Sequence, residues 1–173
     1  MDVSLREIED EAGLRALLAV AVADATPEET MPPFEGPPGW TEEKQEFFLG
    51  FFLPVVASDG TAAFAITVDG EIAGFIRLKR MAQRDADMTG GTAETGMWLG
   101  RSFRGKGVGT AAFDALLAEA AKRGYHRVVA DTMPQNVAAL GVLRHGRART
   151  REEDGKIYAE IAIGPGYAAE LDK

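Results

Sequence analysis

Apolar residues along this chain change their spacing several times, and each change predicts an element. Residues 3–8 alternate and predict a short strand. Leu14, Leu17, Leu18 and Ala21 fall at helical spacing within residues 9–23, with acidic residues at the start, where the helix dipole favours them. Pro27, Pro32, Pro33, Pro37 and Pro38 then remove amide donors and disfavour helix ahead of each ring, which predicts a long ordered loop. Thr41 followed by Glu42 and Glu43 predicts a helix start, and the helix should run to about Phe52. Its stripe of Phe47, Phe48, Phe51 and Phe52 has the spacing of a core face rather than of a ligand box. Residues 62–68 and 71–79 predict a hairpin about Asp69-Gly70. Residues 81–91 are polar and read as a loop, and residues 92–99 as a third strand, where Gly96 signals a bulge or a close backbone approach. Val108, Ala112, Phe113, Leu116, Leu117 and Ala120 mark an amphipathic helix closed by Lys122-Arg123-Gly124. Residues 126–131 form a strand, Met133-Pro134-Gln135-Asn136 opens a helix to about Arg144, and residues 148–152 and 156–163 end the pattern as two strands. With no repeat and no second domain, this order predicts one α/β (α+β) domain over residues 1–173, built on a mixed sheet.

Composition narrows the function classes. The 173 residues carry 27 acidic and 19 basic side chains, a formal net charge of -8. A nucleic-acid partner would call for the opposite balance. There is no cysteine, which excludes disulfides, a cysteine nucleophile and cysteine-held metal. The two histidines, His126 and His145, are too few for a histidine-rich metal centre. No apolar run reaches the ~20 residues of a membrane span, and the first residues lack the basic start and apolar core of a signal peptide. A cytoplasmic protein with no membrane partner is the expectation. Glycine is over-represented at 20 of 173, roughly 12% against a typical ~7%.

The glycines concentrate in one place, Gly100-Arg-Ser-Phe-Arg104-Gly105-Lys106-Gly107-Val108-Gly109-Thr110. This segment leaves a strand and enters a helix. Glycines allow tight turns and close approach of backbone to a ligand, and the first amides of a helix point at whatever lies before it. Arg101, Arg104 and Lys106 add charge. The pattern suits a phosphate or pyrophosphate, with an ordinary glycine-rich turn as the plain alternative. It is not a Walker A loop, because the eighth position, which must be Ser or Thr, is Gly107. Nor is it a dinucleotide fingerprint, because Thr110 stands where the third Gly or Ala belongs and the loop follows an antiparallel meander.

Arg104-Gly105-Lys106-Gly107-Val108-Gly109 resembles the Arg/Gln-x-x-Gly-x-Gly/Ala signature of the GNAT (Gcn5-related) N-acetyltransferases. Ala93-Glu94-Thr95-Gly96-Met97-Trp98-Leu99 is similar to the "A-E-x-G-x-W-L" strand of the RimJ/RimL-like branch, and Asn136 with Ala139, Val142 and Leu143 to that branch's "N-x-x-S-x-x-V-L" helix. The resemblance covers nearly the whole chain. It implies a central, mostly antiparallel sheet of six to seven strands flanked by about four helices, with acetyl-CoA as the donor. The amides from Arg104 through Gly105, Lys106, Gly107, Val108 and Gly109 to Thr110 would hold the pyrophosphate. Trp98 and Leu99 lie on the strand that would pair with the pantetheine. Asn136 and Leu143 stand at positions that meet the cofactor in the family, and Asn136 equally suits a helix cap.

The chemistry requires a neutral amine, a polarised thioester carbonyl and a proton for the leaving thiolate. Glu94 is the first candidate base and Asp131 the second. Strand parity puts 94, 96 and 98 on one face and 93, 95 and 97 on the other, and a bulge at Gly96 would alter this. The family's usual acids are absent: Leu143 replaces a Tyr and Ala139 a Ser. Water, a backbone amide or a side chain such as Tyr158 would then serve. The resemblance places the acceptor, a primary amine, between the early helices. Glu28, Glu29 and Glu35 beside Phe34 and Trp40 suit a cationic amine there by charge and ring quadrupole, against the alternative of a solvated acidic loop with Trp40 held in the core. The acceptor would be a protein N-terminus or a small polycation of aminoglycoside or polyamine type. A non-catalytic acyl-CoA-binding module is the rival class, and the assembly a monomer or homodimer.

Overall fold

The computed structural model describes residues 1–82 and 91–164. Most of the loop expected over 81–91 lies outside the described residues. The elements are β1 (Val3–Glu7), α1 (Glu11–Asp24), α2 (Pro27–Thr30), α3 (Glu42–Val56), β2 (Thr61–Val68), β3 (Glu71–Arg80), β4 (Gly91–Leu99), a 3-10 turn (Arg101–Phe103), α4 (Val108–Lys122), β5 (Tyr125–Thr132), α5 (Val137–His145), β6 (Arg149–Glu153) and β7 (Lys156–Ala162). The strands form one seven-stranded sheet in the order β1-β2-β3-β4-β5-β7-β6. β4 and β5 pair in parallel, whereas β1 with β2, β5 with β7 and β6 with β7 pair antiparallel. The mixed, mostly antiparallel sheet agrees with the sequence.

Two local expectations change. The proline-rich stretch is not loop throughout, because Thr26-Pro27-Glu28-Glu29 builds the short helix α2. Its proline sits at a first-turn position and Glu29 Oε2 accepts from the Thr26 amide at 2.8 Å. The described residues thus hold five helices rather than about four. α3 runs past Phe52 to Val56, through Pro54. A proline in the last turn forfeits one bond, to the Gly50 carbonyl, and Gly50 is exposed, where water can take its place. Between β4 and β5 the register shifts between Gly91 and Thr92.

The chain packs as two compact units: Met1–Arg77 with Met97–Val108, and Leu78–Gly96 with Gly109–Lys173. The first unit has a core of Ile8, Leu14, Leu17, Leu18, Ala21, Met31, Phe48, Phe52, Ala63, Ala65, Phe75 and Trp98. The phenylalanine stripe divides. Phe48 and Phe52 are buried, 4.6 Å apart, and Phe52 meets Phe75 edge-on at 5.3 Å. Phe47 and Phe51 stack at 6.1 Å on the outer side. In the second unit the buried set includes Ala93, Ala112, Phe113, Leu116, Leu117, Val128, Leu143, Ala159 and Ile161.

Candidate active site

In the first unit, β4 ends at Leu99 and the chain turns through Gly100 into the glycine segment. Gly105 and Gly107 have φ of +71° and +81°, the left-handed region that side chains other than glycine occupy at a cost. A Cβ built on either meets no atom within 4 Å, so this side of the loop is open. Gly105, Lys106 and Gly107 are exposed. α1, α3 and α5 each receive a side-chain cap, from Asp10, Thr41 and Asn136. α4 begins at Val108, directly after these glycines, and Gly107 before it carries no side chain. An exposed, left-handed glycine cradle fits an anion such as the pyrophosphate of a coenzyme A.

The three cations of this segment do not act alike. Arg104 donates from Nε and Nη2 to the Leu99 carbonyl at 3.0 and 2.7 Å, and from Nη1 to Glu29 Oε1 at 2.8 Å. Arg101 Nη2 lies 3.6 Å from Glu29 Oε2. Lys106 alone of the three has no acidic partner among the described residues. The stem is held a second time by Asp24, whose carboxylate accepts from the Ser102 amide at 3.0 Å and from the Ser102 hydroxyl. The expected charge of the loop is thus largely spent on its own framework. Backbone amides and Lys106 remain for a ligand.

The Arg104 guanidinium beside Glu29 holds its carboxyl at about 2, well below the ordinary 4.5. The folded chain therefore favours the ionised form. This contribution is complete above about pH 4.5 and is lost as the pH falls towards 2. Glu29→Gln should therefore melt a few degrees below the parent chain near neutral pH, with the gap closing between about pH 5 and 2.5 in thermal unfolding. A gap that does not change with pH would contradict the assignment.

The ladders of the second unit settle the parity question for Glu94. Residues opposite one another share a face. Ala93 pairs with Val128 and Val128 with Ile161, all buried. Glu94 pairs with Val129, Val129 with Glu160 and Glu160 with Arg149, and these occupy the other, partly exposed face. Asp131, two residues after Val129, is on this same face, opposite Tyr158, which in turn opposes Arg151. Glu94, Asp131 and Tyr158 are thus brought to one polar face. Asp131 is ion-paired to Lys156 at 3.1 Å, and the Arg151 guanidinium lies 5.1 Å from the Tyr158 ring. The parallel ladder of β4 with β5 runs from Gly91 to Glu94.

Other sequence candidates are placed as follows. Trp98 is buried in the core, its indole N–H without a partner among the described residues. Asn136 Oδ1 accepts from the Ala139 amide at 3.1 Å, the capping geometry, and Leu143 is buried. The Trp40 indole donates to the carbonyls of Ala21 and Ala25 at 3.1 and 3.0 Å, closing the end of α1. Phe34 packs on Phe47 at 4.8 Å, and Glu35 is exposed. Lys44, only 2% exposed, donates to the carbonyls of Pro37 and Gly39 at 2.6 and 3.0 Å and so pins the proline loop. Asp24 and Lys44 are contributors that the sequence did not single out, and Glu29, expected on the acceptor side, binds Arg104 instead. Of these only Glu29, in a capping-box pattern, carried a local signal.

A family model described as the acetyltransferase (GNAT) family matches residues 21–146. No curated protein matches the chain significantly. Among solved structures, RimJ of Mycobacterium smegmatis in complex with CoA-disulfide is 22% identical with a TM-score of 0.71, covering 98% of this chain and 88% of that one. RimL, a ribosomal L7/L12 alpha-N-protein acetyltransferase in complex with coenzyme A, is 21% identical with a TM-score of 0.67, covering 93% and 94%. PseH, an N-acetyltransferase of Campylobacter jejuni in complex with acetyl coenzyme A, is 13% identical with a TM-score of 0.64, covering 94% and 100%. These likenesses concern the fold. The model match, over most of the chain and including the glycine loop, carries the assignment: this chain belongs to the acetyltransferase (GNAT) family, whose donor is acetyl-CoA.

Proposed function

We propose that the chain works as a single domain that transfers the acetyl group of acetyl-CoA to the α-amino group of a protein N-terminus, by direct attack of the amine on the thioester. The exposed, left-handed cradle at Gly105 and Gly107 is the observation that carries the reading. The amides of residues 104–110 and the Lys106 ammonium would bind the phosphates, and the strand around Trp98 and Leu99 the pantetheine arm. Bound there, acetyl-CoA supplies an activated carbonyl and a thiolate leaving group. With no cysteine in the chain, no acyl-cysteine step arises.

Glu94 is the proposed base, taking a proton from the ammonium form of the acceptor directly or through one water. Its position on the polar face supports this. Asp131, held by Lys156, serves as an orienting charge. Leu143 and Ala139 offer no hydroxyl, so the departing thiolate takes its proton from water or from Tyr158, which shares the face of Glu94. Glu94→Gln is expected to lower kcat by about 100-fold or more at neutral pH while leaving acetyl-CoA affinity unchanged. An unchanged kcat would remove Glu94 as base without touching the donor assignment.

The N-terminal acceptor rests on the likeness to RimL, described as an alpha-N-protein acetyltransferase. A small polycation is the second reading, favoured by the exposed Glu35 next in the chain to the partly buried Phe34. A panel of peptides and polyamines at equal acetyl-CoA separates them. Preference for peptides with a free N-terminus over the same peptides blocked supports the first, and preference for polyamines the second.

A further inference from the structure

We propose that Glu29 is a positioning residue for the cofactor loop: its carboxylate holds the Arg104 guanidinium across the Leu99 carbonyl, so that the loop stem is formed before acetyl-CoA arrives. The inference rests on the reading that residues 104–110 take the donor's phosphates.

A guanidinium is a planar fork with five N–H donors. In Arg104 one edge of that fork, Nε and Nη2, closes on a single backbone carbonyl at the end of β4. A neutral carbonyl alone is a modest reason for a long, partly exposed side chain to stay fixed, since holding it costs rotamer freedom. The other edge meets Glu29 at 2.8 Å, a charge-assisted bond of about twice the strength of a neutral one. Glu29 is itself fixed, because its second oxygen accepts from the Thr26 amide at the start of α2. The chain Thr26–Glu29–Arg104–Leu99 is continuous, and each link leaves the next with one orientation. Asp24 acts beside it. Its carboxylate holds Ser102 and fills the space beside Gly100, where a Cβ would collide with it. An acid in the last turn of a helix is disfavoured by the helix dipole, so Asp24 is tolerated at the end of α1 through what it binds. Carboxylates at the α1–α2 corner thus pin residues 99–104 at two points, immediately before the left-handed glycines.

Glu29 then acts on binding through preorganisation rather than by touching the ligand. The opposite possibility is that Glu29 competes with the donor's phosphates for Arg101 and Arg104. The two make opposite forecasts. On the positioning account, Glu29→Ala raises the KM for acetyl-CoA, and the Kd for CoA by calorimetry, by about 10-fold, with kcat at saturating donor within about 2-fold. Glu29→Gln, which keeps one acceptor for Arg104 and stays closer to the native fold, falls between. The double variant Glu29→Ala/Arg104→Met loses no more than Arg104→Met alone, because both act through one link. A tighter Kd, an unchanged KM, a fall in kcat without a rise in KM, or additive losses would each overturn the proposal. Gly107→Val, run alongside, separates the two layers. If it retains CoA affinity, the loop reading fails. If it loses CoA while Glu29→Ala does not, only the positioning role fails.

Discussion

Gly107→Val should lose CoA binding by about 100-fold or more, equivalent to about 2.7 kcal/mol, while the chain stays folded. Two effects combine. At φ +81° a residue with a Cβ costs about 1–2 kcal/mol, and a β-branched one more, so the loop shifts away from its present path. The new side chain also projects to the outer side, where a Cβ meets no protein atom within 4 Å. Nothing in the protein resists it, so the fold survives, and the obstruction falls on whatever approaches the amides. Gly107→Ala carries the backbone cost with less bulk and should lie between. Calorimetric titration with CoA together with a thermal melt checks both halves of this expectation. Wild-type affinity in the valine variant would mean that the phosphates bind elsewhere.

Gly74→Val should have the largest effect on stability. Gly74 lies buried in β3, and a Cβ there would run into the Trp98 carbonyl oxygen and come within 3.0 Å of Leu99 Cα. The obstacle is backbone, which cannot rotate aside as a side chain would. The end of β4 must move, and overpacking of this kind costs about 1–3 kcal/mol or more. For a chain of this size that is a fall in Tm of about 6–12 °C at the upper end. Because the displaced residues form the stem of the glycine loop, CoA affinity should fall with it. Differential scanning calorimetry on Gly74→Ala and Gly74→Val tests this, with the alanine variant milder in the same direction. A Tm unchanged in both would contradict the close approach of β3 to the end of β4 at Gly74.

What could be read from the sequence follows from how local each signal is. Helix and strand periodicities depend on neighbours three, four or two residues away, so most elements were found. α3 outruns its expected end at Phe52 because a proline's effect depends on where in the helix it falls, and Pro54, near the end, removes little. The glycine loop was legible because φ above zero selects glycine at Gly105 and Gly107. Its charge was not. Arg101 and Arg104 looked like phosphate ligands, yet their partner Glu29 is some 75 residues earlier, a pairing that no spacing rule reveals. The face of Glu94 required the register with Val129, which the sequence leaves open until the strands are paired. Trp40 carried two readings, and its bonds to Ala21 and Ala25 show a ring anchored at the end of α1. The acceptor is hardest to read because its surroundings are loops and helix ends, where many sequences satisfy the same backbone.

The most direct test of the account is amine-dependent release of CoA thiol from acetyl-CoA, with the product amine identified by mass. The expected result is a saturable rate that requires a free amine and yields one acetyl group on it for each thiol released. Tight CoA binding with no amine able to accelerate thiol release, over both peptides and polyamines, would contradict acetyl transfer and leave a CoA-binding module in its place.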